Sequence, residues 1–122
     1  MWIYKQSTGE LRRQALDSPL IATGYAGRGD GKNNTAMEGV RNIGPLPRGL
    51  YSMGLAYADP HRGPVCIPLL PDAANDMKGR SGFLIHADSI AAPGEASEGC
   101  IIFSQPTRKL LAESKDRWLV VV

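Results

Sequence analysis

Two histidines and two cysteines are all the imidazole and thiol that this chain of 122 residues carries. One of each falls in a single stretch, GFLIHADSIAAPGEASEGCIIF, at positions 82–103. His86 closes an apolar run, and Cys100 opens the next one. A free thiol titrates near 8.5, so only about a few per cent of it is thiolate at neutral pH. A neighbouring imidazole can take the proton, and the sulfur can then attack a carbonyl carbon. On a strand through residues 82–88, alternation puts His86 and Asp88 on one face, roughly 6–7 Å apart. A carboxylate there would orient the imidazole. Gly99 lets the backbone turn tightly before Cys100. The successive N–H groups of Gly99 and Cys100 can converge on an oxyanion. Together these features suit acyl transfer through a thiol.

Plainer readings stand beside this one. A histidine after an apolar strand is commonly a satisfied structural residue, and a cysteine beside isoleucines is commonly core. A zinc site would draw on His61, Cys66, His86 and Cys100, with Asp59 and Asp88 as added oxygen ligands. The four and thirteen residues between the paired ligands do not match a compact knuckle, so no metal or other cofactor is assigned. Two cysteines are too few for a disulfide framework. Cys66, inside VCIPLL (65–70), reads as a small core residue.

The elements that must position these groups are short and mostly extended. WIYKQ (2–6) alternates, STGE turns, and LRRQAL (11–16) returns antiparallel. Residues 20–26 form a third strand candidate, and 27–49 a long glycine-rich loop of the functional or mobile kind. Strands follow at 50–57 and 65–70, the latter near an edge because Pro68 cannot donate to a ladder. Residues 82–88 read as a central strand. A helix is expected over 104–115, capped by Ser104, with Pro106 in its first turn and Leu110 and Leu111 as its apolar stripe. RWLVVV (117–122) is a β-branched terminal strand. The fold class is mainly β, with one short helix late in the chain.

The length fits one domain over 1–122 with a substantial core. A net charge of +2 with scattered basic residues argues against nucleic acid as a partner. No stretch approaches the ~20 apolar residues of a membrane span. The opening MWIYKQSTGELRRQ lacks the charged and apolar regions of a secretory signal, which fits synthesis in the cytoplasm.

IHADS (85–89) followed by ASEGCII (96–102) resembles the active-site signature of L,D-transpeptidase catalytic domains, and more closely the small type VI secretion effectors of that group. WIYKQSTGELRR, TGYAGRGDGKNN (23–34), NIGPLPRGLYSMG (42–54) and GRSGFLIHADS (79–89) extend the likeness along essentially the whole chain. The resemblance implies an L,D-transpeptidase-like β-sandwich or barrel. It also implies a peptidoglycan substrate, the tetrapeptide stem cut after its third, diamino-acid residue. Carried over by position, Cys100 is the nucleophile and His86 its base, with Asp88, Ser97 and Gly99 completing the motif. Such effectors release the terminal D-alanine or exchange it for another D-amino acid in a rival's periplasm. The secretion apparatus delivers them, and a cognate immunity protein protects sister cells.

Two positions depart from ordinary L,D-transpeptidases. Glu98 stands where a histidine usually precedes the glycine–cysteine pair, and Ile102 where an arginine usually follows. Carboxypeptidase and exchange reactions are therefore expected ahead of cross-linking. Arg28, Lys32 and Arg80 are the candidate cations for the stem carboxylates, with Ser89 a further substrate-binding candidate. Two other classes stay open: a non-catalytic wall-binding module and an intracellular thiol peptide hydrolase.

Overall fold

Trp2–Lys5 (β1) and Glu10–Arg13 (β2) form the expected antiparallel hairpin, and β2 passes to Ala22–Thr23 (β3). Gly24 then breaks what the sequence suggested was one strand, and Tyr25–Ala26 (β4) joins the opposite end of the sheet. A Cβ at Gly24 would lie 2.0 Å from the Ile102 carbonyl oxygen, so only glycine lets the chain cross there. The remaining strands are Gly49–Met53 (β5), Tyr57–Asp59 (β6), Gly63–Pro71 (β7), Leu84–His86 (β8), Ile101–Ile102 (β9) and Trp118–Val121 (β10). Their order is β3-β2-β1-β10-β5-β7-β8-β9-β4, with β6 beside β7. Because β3 and β4 are consecutive in the chain yet terminate opposite ends of this path, the sheet curls into a nearly closed barrel. The computed structural model describes residues 1–122.

The barrel is filled by one core that includes Trp2, Tyr4, Leu11, Tyr51, Ile67, Ile85, Ile101, Leu111 and Leu119. Tyr4 meets Phe103 edge to face at 5.8 Å between ring centres, joining β1 to the chain that leaves β9. The β-branched C-terminal strand is central, between β1 and β5.

Three expectations are corrected. β7 is central rather than an edge. Pro68 is accommodated because its partner strand changes there: β6 pairs with residues up to Cys66, and β5 from Leu69 onward. The helix, Gln105–Glu113 (α1), has Pro106 in its first turn, but the Ser104 side chain makes no capping hydrogen bond. Its buried positions are Leu111 and Arg108, whereas Leu110 is 47% exposed. The Arg108 guanidinium donates to the Phe103, Pro64 and Val65 carbonyl oxygens, which pins α1 onto β7 and fills the place given to Leu110.

The 27–49 segment is anchored rather than loose. It makes two 3-10 turns, Gly29–Gly31 and Thr35–Met37, and buries Leu46 completely. Glu38 accepts from Gln6, from the Arg48 backbone and from the Arg48 guanidinium.

Candidate active site

Parallel pairing of β8 and β9 matches Ile85 with Ile101 and His86 with Ile102. Cys100, one residue before β9, therefore faces the start of β8 and lies diagonally across from His86. The Leu84 N–H donates to Cys100 Sγ at 3.3 Å. Both residues line one cavity of about 450 Å³. No hydrogen bond joins thiol and imidazole in this state; His86 Nδ1 instead lies 2.8 Å from the Ala87 carbonyl oxygen. A carbonyl can only accept, so Nδ1 carries the proton and Nε2 is the free basic nitrogen.

Burial pushes the Cys100 thiol above its ordinary value, against the Leu84 N–H and the Arg62 charge, which favour thiolate. Burial likewise lowers His86, and although the Ala87 carbonyl opposes this, Arg62 and Arg108 add to the lowering. Both shifts disfavour charge separation. The resting pair is a neutral thiol beside a neutral imidazole.

Ser97 is fully buried and ties three segments together. Its Oγ accepts from Gly27 N at 2.8 Å and Gly99 N at 3.0 Å, and donates to the Cys100 carbonyl oxygen at 2.6 Å. The expected pair of oxyanion donors is thereby corrected: the Gly99 N–H is engaged by Ser97. The Cys100 N–H has no protein acceptor and remains available. Gly99 has φ +137°, and a Cβ there would lie 2.6 Å from Arg80 Nη2 and 2.8 Å from Phe83 Cε1. Glycine is the residue that fits this place.

Asp88 does not orient the imidazole. β8 ends at His86, and the Asp88 carboxylate turns to its own loop, accepting from Tyr25 Oη at 2.6 Å and from the Ser89 and Gly94 N–H groups. Tyr25 Oη in turn accepts from Ala96 N. Burial and the Asp88 contact push the Tyr25 hydroxyl up to about 12, so it remains a donor. Asp88 is thus a clip that holds the 88–96 loop against β4. Ser89 belongs to the same loop, its Oγ accepting from Ala92 N.

Of the candidate cations, Arg28 and Arg80 line the cavity, while Lys32 lies 4.6 Å over the Tyr25 ring and lines neither this cavity nor its neighbour. Arg80 is corrected to a framework residue. It is 6% exposed, and its two terminal nitrogens donate to the Glu38, Pro45, Gly44 and Glu98 carbonyl oxygens. Arg41 and Arg62 also line the cavity and were not anticipated, nor were Asn42, Phe83 and Glu95. No spacing relative to Cys100 marks them, because separate turns carry them in. Cys66 is buried and free, its Sγ 3.3 Å from the Gly63 carbonyl oxygen, as a core thiol should be. No three of the His, Cys, Asp and Glu side chains gather to hold a metal ion.

Residues 21–118 match the Tlde1 domain. The chain belongs to that family. Tlde1 domains are type VI secretion effectors of the L,D-transpeptidase type, the family that the motifs around His86 and Cys100 resemble. No curated protein matches the chain significantly. Among solved structures, the fold is similar to that of Bdellovibrio bacteriovorus Bd1075, with a TM-score of 0.62 and 17% identity. The likeness covers 100% of this chain and 47% of that one, so this Tlde1 domain spans about half the length of its structural relative. No helix is long and apolar enough to cross a membrane.

Proposed function

We propose that this Tlde1 domain acts on peptidoglycan tetrapeptide stems as a cysteine-dependent L,D-carboxypeptidase and D-amino acid exchange enzyme. One observation carries the reading: Cys100 and His86 line the same arginine-rich cavity, with His86 Nδ1 committed to a carbonyl and Nε2 left as base. His86 Nε2 takes the thiol proton as the sulfur attacks the carbonyl carbon of the third stem residue. The bond to the terminal D-alanine then breaks, and the imidazolium returns the proton to the leaving amine. Water releases a tripeptide stem, or the amine of another D-amino acid reforms a tetrapeptide. Because the resting pair is neutral, proton transfer accompanies attack. The Cys100 N–H, which has no protein acceptor, would serve as the backbone donor to the developing oxyanion.

The lining supports a substrate carrying charges of both signs. Arg28, Arg41, Arg62 and Arg80 are balanced by only Glu95 and Glu98. A diamino-acid side chain bearing an ammonium and a carboxylate, next to a terminal carboxylate, is a molecule of that kind. Delivery into a target cell's periplasm would bring the domain to such stems and deplete the donors for cross-linking. A cognate immunity protein would guard the producing cells. The test is to incubate the protein with muropeptides and read the products by mass. Conversion of tetrapeptide to tripeptide stems that stops in Cys100→Ala supports the reading. Binding without turnover supports the wall-binding module, and turnover only of unrelated peptides the intracellular hydrolase.

A further inference from the structure

Beside the cavity that holds Cys100 lies a second, of about 1200 Å³, lined by Tyr25, Ile90, Phe103 and Arg108 among others. The two share a wall made of Arg62, His86, Glu95 and Ala96. Arg62 is the arginine on that wall, next to the imidazole. It sits in the turn between β6 and β7, and its carbonyl accepts from Ala87 N at 3.1 Å, which docks the turn against the residue after His86. Its guanidinium is half exposed and scarcely engaged. The one acid within ion-pair reach of it, Asp59, is 3.7 Å away, beyond hydrogen-bond length, and already accepts from the His61 and Arg62 backbone N–H groups. The other arginines differ. Arg80 is saturated by carbonyl oxygens, and Arg28 and Arg41 line only the smaller cavity.

We propose that Arg62 is the anchor for the carboxylate of the D-amino acid, both the one leaving and the one entering. The identity of that carboxylate rests on the stem-peptide reading above. Exchange is the reverse of acylation with a different amino acid, so leaving and entering groups occupy one place beside the acyl carbon. A single cation next to the base can serve both. An arginine fork suits a carboxylate, because two parallel N–H donors match its two oxygens. The Arg62 charge is felt at both reacting groups, adding to the lowering of His86 by burial and opposing the raising of Cys100 by burial. Arg108 adds to the effect at His86 and Arg80 to that at Cys100, whereas Arg62 acts on both.

The test compares alkylation of Cys100 by iodoacetate and iodoacetamide at one pH, in a Cys66→Ala background. Both reagents meet the same thiolate, so a change in thiolate fraction cancels in the ratio of their rates. Arg62→Gln should lower the iodoacetate-to-iodoacetamide ratio about tenfold, the scale of a lost charge-assisted hydrogen bond. Arg62→Lys should keep part of it, and Arg28→Gln should change it far less. With tetrapeptide muropeptide, Arg62→Gln should raise KM about tenfold for the stem and for a free D-amino acid alike, with little change in kcat. An unchanged ratio, or equal falls in the Arg62 and Arg28 variants, overturns the anchor. A wild-type ratio that depends on Arg62 in a protein inert toward muropeptides would leave the anchor standing and overturn the stem-peptide reading instead.

Discussion

At the scale of single residues, Cys100 and His86 have different kinds of dispensability. Cys100→Ala should abolish turnover while the protein still folds, and Cys66→Ala should stay active, because Cys66 is buried in the core away from the cavity. Equal losses in the two variants would refute the assignment. His86→Gln should slow turnover roughly 10²–10⁴-fold, the usual worth of positioned acid–base help. The protonation states give a further expectation. Burial raises the Cys100 thiol and lowers His86, so thiolate forms only as pH climbs above the ordinary thiol range of about 8.5. Iodoacetamide alkylation of Cys100 should therefore keep rising through that pH. A rate already at its plateau below neutral pH would mean a preformed thiolate–imidazolium pair and contradict the neutral resting state. Side-chain type made these two residues candidates, the motif resemblance gave them roles, and the fold brings both to one cavity. Asp88 was misjudged because one strand ended two residues early, which turned its carboxylate from the imidazole to Tyr25.

At the scale of elements, the site depends on how two loops are tied to the barrel. Arg80 joins the 38–45 segment to the loop before Cys100 through four carbonyl oxygens. Arg80→Met leaves those acceptors without their charged donor and should cost about 3 kcal/mol or more, lowering Tm on the order of 10 °C. Arg28→Gln, at an exposed position, should leave Tm nearly unchanged. Equal Tm in the two variants would show that the guanidinium does not lock these loops. Glu38 adds an acid-sensitive tie. Burial alone would raise its carboxyl, but the donors from Arg48 and Gln6 hold it at about 2. A depressed carboxylate stabilises the fold above its unfolded value of about 4.3, and that contribution is lost as pH falls toward the folded one. Tm should drop across that window, and less steeply in Glu38→Gln.

The elements differed in how far the sequence revealed them. The β1–β2 hairpin and β10 were legible because alternation and β-branching act locally. The break at Gly24 was not, since the clash it avoids comes from Ile102, far along the chain. The roles of Arg80 and Arg108 were hidden for the same reason. Their partners are backbone carbonyls, which every residue carries and no sequence pattern marks. Arg62 reaches the wall beside His86 only through the β6–β7 turn, so nothing near the IHADS motif announces it.

At the scale of the whole molecule, a barrel that nearly closes on itself holds β8 and β9 side by side, and the segments that lead into those two strands line the cavity. That arrangement acts on stems outside the cytoplasmic membrane, in the reading proposed above. Cytoplasmic expression should be tolerated, whereas fusion of a cleavable secretory signal to Met1 should cause swelling or lysis. The exported Cys100→Ala variant should be harmless, and its toxicity would separate harm from catalysis.

The central claim is that the Cys100 sulfur becomes acylated by a tetrapeptide stem. Intact-protein mass after rapid mixing with tetrapeptide muropeptide, quenched in acid, tests this most directly. The account predicts an increase equal to the muropeptide less D-alanine, mapped to Cys100 and matched by free D-alanine in equal amount. D-alanine release with no adduct in wild type at any mixing time, and undiminished in Cys100→Ala, would contradict it.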